Sequence, residues 1–150
     1  MIWLLLEKIH GHLALLAIAS CLHPPIVLRK ARRPSWATRV SGYAASALMS
    51  ASIAVGWFIY PEYRLQIRQH LYTTNPLLGR AFEVKEHLGT FALFLVVAGA
   101  VLLWLSTRPG GPELRQATLR AYLCAALLAT VSAVLGVIIA SAAGFAYGGG

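Results

Sequence analysis

Residues 119–147 read LRAYLCAALLATVSAVLGVIIASAAGFAY, a run of 29 residues whose only charge is Arg120. A helix on the surface of a soluble domain needs a polar face, and no periodic placement of polar residues supplies one here. A bilayer core is crossed by about 20 mostly apolar residues in helical form, so this stretch is long enough to span it. Immediately upstream, residues 88–105 read LGTFALFLVVAGAVLLWL, an apolar run without a charge. Two earlier segments have the same character, at about 2–28 and 37–60. The third segment extends to about 78–107 once its polar first part is included, and the fourth covers 119–147. These runs are continuous and do not alternate inward and outward, which favours helices over a barrel. The expectation is an all-α, integral membrane four-helix bundle forming one domain over residues 1–150.

Composition agrees with lipid as the outer solvent. The chain is 58% apolar and 12% charged, against about 25% charged in a typical soluble domain. Its net charge of +8 would suggest nucleic acid in a soluble protein. No basic helix or aromatic-studded strand is present to carry that function, and nucleic acid is not an expected partner. The basic residues lie in short segments between the apolar runs. Arg29, Lys30, Arg32, Arg33, Arg39, Arg108, Arg115 and Arg120 fall on one side with Glu113, a net of +7. Lys8, Arg64, Arg68, Arg80 and Lys85 fall on the other with Glu7, Glu62, Glu83 and Glu86, a net of +1. The positive-inside rule then places the first and third loops in the cytoplasm and both termini outside. A bacterial inner membrane is the expected location.

The first segment begins MIWLLL with no basic region before it and no small-residue cleavage site, so it is read as a retained helix. Cys21 and Cys124 each lie inside an apolar run and are expected to be buried small hydrophobes, with neither disulfide nor zinc spacing. Gly42, Ser46, Ser50 and Ala54 recur every four residues, as do Ser132, Gly136, Ala140 and Gly144. Such stripes let helix backbones approach closely in lipid, and helix packing is their expected role. Between the second and third helices, Tyr60, Tyr63, Ile67 and Leu71 fall at helical spacing after Pro61, with Arg64 and Arg68 on another face. That pattern suits a short interfacial helix. His23-Pro24-Pro25 is expected to be a helix terminus.

Ionisable residues inside a membrane are expensive, and their default meaning is functional. Two clusters qualify, Glu7-Lys8-Ile9-His10-Gly11-His12 on the first helix and Glu83-Val84-Lys85-Glu86-His87-Leu88-Gly89 on the third. Both helices run inward from the same side, and both clusters lie about 12–15 Å along them at the helical rise. They should therefore meet at one level. Three arrangements are open. In the first, His12 or His10 and His87 ligate a haem b from opposite faces, Gly11 and Gly89 leave room for the macrocycle, and Arg64, Arg68 or Lys85 neutralise its propionates. In the second, Glu7, His10, Glu83, Glu86 and His87 hold one or two metal ions, because Glu7-x-x-His10 has the spacing found in di-metal carboxylate bundles. In the third, the clusters are interfacial caps and ion pairs, and the protein is a cofactor-free structural subunit of a larger membrane complex.

No nucleophile–base–acid set, Walker pattern or Gly-rich phosphate loop occurs, and the chain contains no Asp. The paired histidines, His12 (or His10) and His87, on two parallel helices of a four-helix plan resemble small four-helix integral membrane b-type cytochromes. These include the cytochrome b subunits that anchor respiratory enzymes. The resemblance implies a membrane-embedded electron-transfer subunit of an oxidoreductase complex, not catalytic by itself, with one b haem near the outer, periplasmic face. Di-haem members carry a second histidine pair that this chain lacks, so electrons would be relayed on the outer side, to or from quinol or a partner redox subunit. Topology is directly testable. A reporter enzyme that matures only outside the cytoplasm is expected to be active when fused after Gly150 and inactive when fused within the first loop at Lys30.

Overall fold

A computed structural model of the protein describes residues 2–30, 34–108 and 111–147. Arg32, Arg33 and the Gly148–Gly150 tail lie outside them. The elements in chain order are α1 (Ile2–Leu28), α2 (Trp36–Tyr63), a π-turn (Arg64–Arg68), α3 (Gln69–Thr74), α4 (Pro76–Leu105), a 3-10 turn (Gly111–Leu114) and α5 (Arg115–Tyr147). Four of these helices, α1, α2, α4 and α5, are long and apolar enough to cross a membrane. The protein is an integral membrane four-helix bundle.

Local chemistry explains the boundaries. Ser35 caps α2, its hydroxyl accepting from the Thr38 N–H at 3.2 Å. Asn75 does the same for α4 through Leu78, and Pro76 follows at the first helical position, where its missing N–H costs nothing. At the far end of α1, the Arg115 guanidinium donates to the Leu28 and Arg29 carbonyls at 2.6 and 2.8 Å. It thereby satisfies groups that a helix C-terminus leaves without partners.

Proline proves a weaker stop than its local chemistry implies. The expected terminus at His23-Pro24-Pro25 does not exist. α1 runs through both prolines to Leu28, and both are buried among neighbouring helices. His23 shares a 2.7 Å hydrogen bond with Ser41 of α2, which holds this stretch against its neighbour. Packing supplies what the two absent N–H groups remove. Nor does α2 end at Pro61. The helix continues through it, widens into the π-turn and carries on as α3, so the expected interfacial helix is an extension of α2. The face predicted for it is the packed one. Leu71 is buried with Phe82 and Ile139, and Tyr60, Tyr63 and Ile67 pack against them.

The helices form a ring. α1 packs on α2, α4 on α5, α1 on α5 and α2 on α4, which leaves α1 and α4 on one diagonal. Small residues fill the centre, including Ala17, Ala45, Ala92, Ala125 and Ala129. Large ones such as Leu16, Ile26, Trp36, Leu127 and Val134 face outward. That is the distribution expected where lipid surrounds the bundle and close backbone approach holds it together. Cys21 is fully buried, whereas Cys124 faces outward, contrary to the expectation that both were internal. An apolar run in lipid does not distinguish a core position from a lipid-facing one.

Among the described residues the largest fully buried side chain is that of Tyr122 of α5. It lies between Gly42 of α2 and Gly99 of α4. A methyl group on Gly42 would stand 2.6 Å from the Tyr122 hydroxyl, and one on Gly99 would stand 3.1 Å from its ring. The four-residue stripe on α2 is therefore only half used. Gly42 is buried and Ser46 donates to the Val96 carbonyl of α4 at 3.1 Å, but Ser50 and Ala54 are exposed. Each step of four residues advances about 40° around a 3.6-residue helix, so the stripe winds off the interface. On α5, Ser132 donates to the Lys85 carbonyl at 3.1 Å and Gly136 lies against the Lys85 side chain. The surroundings of Gly144 lie outside the described residues.

The contact predicts a contrast between two glycines. Gly42→Ala is expected to destabilise the bundle by about 1–3 kcal/mol through overpacking. Gly11→Ala, whose added carbon meets nothing within 4 Å, should be neutral or slightly stabilising. Thermal unfolding of the two variants in detergent measures the difference.

Candidate functional site

Between the two packed clusters the ring opens into a cavity of about 830 Å³, walled by all four membrane-crossing helices. On one side it is bounded by the central cluster that includes Met49, Val96 and Ala129. On the other, Tyr63 and Phe82 belong both to the cavity wall and to the outer cluster, with their rings stacked at 6.1 Å. The two polar stretches of α1 and α4 meet here, as their equal depth along parallel helices predicted. Glu7, Lys8, His10, Gly11 and His12 line the cavity from α1, and Lys85, Glu86, His87 and Gly89 line it from α4.

The three histidines differ in what their rings do. His10 is half-buried and turned toward α2, its Nδ1–H donating to the Ser52 carbonyl at 2.8 Å. Ser52 returns a bond from its hydroxyl to the His10 carbonyl at 3.3 Å. The imidazole lies flush against Gly56, where an added methyl would stand 3.1 Å from Cε1. His10 is thus a clasp between α1 and α2. His12 and His87 behave alike and differently from it. His12 Nδ1 donates to the Lys8 carbonyl at 2.7 Å, and His87 Nδ1 to the Glu83 carbonyl at 2.8 Å. A carbonyl oxygen only accepts, so Nδ1 carries a proton in both rings, and the neutral form of each ring has its lone pair on Nε2. Two histidines on diagonal helices thereby line one cavity with the same ring nitrogen free to bind.

The carboxylates take separate partners. Glu7 accepts from the Tyr63 hydroxyl at 2.6 Å. Glu86 interacts with the Tyr60 phenol. Glu83 is paired with Arg68 and is not part of the cavity wall. The side chains of the alternative in which Glu7, His10, Glu83, Glu86 and His87 share a metal are thus not brought to one point here. No group of three or more His, Cys, Asp or Glu side chains placed to hold an ion occurs among the described residues. Helical spacing put those residues near one level, but each carboxylate is drawn to a hydrogen-bond donor on α2, the π-turn or α3's approach before it can meet the others.

The basic residues also divide. Arg68 is engaged by Glu83, and its guanidinium sits 5.4 Å from the Tyr72 ring centre. The hydrogen bond to Glu83 raises the Arg68 pKa above its ordinary value, so the guanidinium stays charged. Arg64 is exposed on the π-turn and does not line the cavity. Lys85 does line it, extending its methylenes across Gly136 with its ammonium 5.9 Å from the Phe82 ring centre. Glu7 and Glu86 are the acidic groups that act on it. The tyrosine partners of Glu7 and Glu86 were visible in the sequence only as one face of a helix. A pair of phenols one turn apart, opposite carboxylates at the same depth, was the signal that could have found them.

Comparisons with protein families, with characterised proteins and with solved structures give no match, so function has to be read from these side chains.

The Glu7–Tyr63 bond ties α1 to the end of α2 at the cavity rim and is charge-assisted. A double-mutant cycle of Glu7→Gln and Tyr63→Phe is expected to show coupling of about 1–2 kcal/mol in detergent unfolding. Additive losses would mean that the two side chains do not share this bond.

Proposed function

We propose that the protein is a membrane-embedded electron-transfer subunit that holds one b-type haem in this cavity, with His12 of α1 and His87 of α4 as the axial pair. The observation that carries the proposal is the shared state of these two rings. Each is oriented by a carbonyl one turn back along its own helix, and both residues line the same cavity. Such outer hydrogen bonds set the tautomer and orientation of a ligating imidazole and raise its basicity.

The remaining residues fit a flat, largely apolar group with an anionic edge. The volume of about 830 Å³ falls within the usual range for cofactor sites, about 300–1,000 Å³. Gly11 stands open to space and Gly89 leaves only ordinary contacts, so neither neighbour of the histidines crowds them. Aromatic residues such as Phe91 and Phe94 form part of the wall. Of the basic residues on α4 and the π-turn, Lys85 is the one at hand for a propionate, since Arg68 is committed to Glu83 and Arg64 lies away from the cavity, and Lys8 of α1 also lines it. His10, occupied with Ser52, contributes helix packing. A bound haem supplies reversible one-electron transfer. The protein's part is to orient the two imidazoles, bound one end of the cavity with the Tyr63–Phe82 pair, and place a cation beside the acidic edge.

A single site toward one end of the bundle suits exchange with quinol or a redox partner on that side of the membrane. By the positive-inside rule that side is the periplasmic one. A reduced-minus-oxidised absorption spectrum of the purified protein tests the proposal. A b-type spectrum at one haem per chain is expected, lost in His12→Ala and in His87→Ala but kept in His10→Ala. A colourless protein from haem-replete cells, or haem loss confined to His10→Ala, would overturn it. The first of those results would leave a structural subunit, to be identified by what co-purifies.

A further inference from the structure

At the opposite, basic end of the bundle, the α2–α4 seam does not close. Ser46 joins the two helices through the Val96 carbonyl, and beyond it toward the basic end lies an apolar groove of about 280 Å³. Tyr43 and Ser46 form one wall, and Val97, Ala100, Val101 and Trp104 form the other. Tyr43, Val97, Val101 and Trp104 are all more than a third exposed, so the groove opens outward along the lipid-facing side.

Its mouth is cationic. Arg108 lies over the Trp104 ring with its guanidinium carbon 3.6 Å from the ring centre. Arg39 precedes Tyr43 by four residues on the same face of α2, and its Nε is buried with no hydrogen-bond partner among the described residues. Four residues span about 6 Å along a helix. Arg39 on α2 and Arg108 in the turn that follows α4 therefore both lie about one turn beyond the end of the groove. A buried Nε–H without an acceptor is costly, and on a half-buried guanidinium an anionic oxygen is a fitting acceptor for it.

We propose that this groove is a site for one anionic phospholipid of the leaflet at the basic end. An acyl chain lies along the Val97–Val101 wall, and the headgroup phosphate is held between Arg39 and Arg108. An outward-opening apolar slot at membrane depth accepts a chain, and two guanidiniums at its interfacial end accept the phosphate, the chemistry of basic pockets between membrane helices. A partner helix would satisfy the apolar wall but would leave the Arg39 donor unmatched unless it also brought an acid to that depth. The site is independent of the cavity and of its proposed haem.

Native mass spectrometry of the full chain in detergent, with phosphatidylglycerol and phosphatidylcholine supplied in equal amounts, tests this. One phosphatidylglycerol is expected to be retained in preference, with retention falling roughly fivefold for each of Arg39→Gln and Arg108→Gln. Ala100→Phe fills the groove while leaving both arginines, and it should remove the retained lipid as well. Arg120→Gln, an exposed arginine at the same end on α5, should change nothing. Equal retention of the two lipids, unchanged retention in Arg108→Gln, or an equal loss in Arg120→Gln would overturn the proposal. So would a dimer of the chain that forms in place of lipid adducts and is abolished by Ala100→Phe.

Discussion

Hydrocarbon does not solvate charge, and that constraint organises one whole end of this bundle. Glu7, Lys8, His10, Lys85, Glu86 and His87 all sit on helices that cross the membrane. The ring of four helices turns them onto one cavity, where His10, Lys85 and Glu86 are partly buried and Lys8 and His87 lie at its open side. The tyrosines that extend from α2, the serine that receives His10 and the pairing of Glu83 with Arg68 all follow from that need. So does the continuation of α2 past Pro61, which brings Tyr63 over Glu7 and stacks it on Phe82.

The two ends of the bundle are built on opposite terms. At the centre and toward the basic end, alanines and glycines draw the backbones together, and Tyr122 passes between Gly42 and Gly99 with no room for a methyl group on either. At the cavity end the same ring is held apart by hydrogen-bonded pairs at its rim. A bundle without a hydrophobic driving force between its helices depends on shape and on buried polar bonds. Here the tight half supplies the first and the cavity rim the second. The α2–α4 seam belongs to neither and is left as a groove.

Separation of the carboxylates gives the cavity its chemical character. Had Glu7, Glu83 and Glu86 converged with His10 and His87, the site would have matched a hard, multiply charged ion. Each acid is instead matched to a phenol or a guanidinium, which leaves the His12 and His87 imidazoles and the Lys8 and Lys85 side chains along the cavity. Two imidazole donors with a nearby cation would suit a planar group with an acidic edge. The proposed haem rests on that division of labour among the side chains.

Much of this was legible in the residues alone, because the bilayer imposes simple rules. Length and hydropathy identify four membrane-crossing helices, since an unsatisfied backbone cannot exist in lipid. A depth count along parallel helices brings the two polar stretches together without any knowledge of their packing. Rotation about each helix axis is another matter. His10 and His12 lie two residues apart, about 200° around the helix, and only the ring order of the four helices decides that His10 meets Ser52 while His12 is left to the cavity. The same holds for Cys21 against Cys124, for Ser46 against Ser50, and for the prolines at 24, 25 and 61, where neighbouring helices outweigh a local loss of one donor. Depth in the membrane is written along the chain. Which neighbour a side chain meets at that depth is a property of the packed helices, because every face of these helices is apolar and none announces its partner.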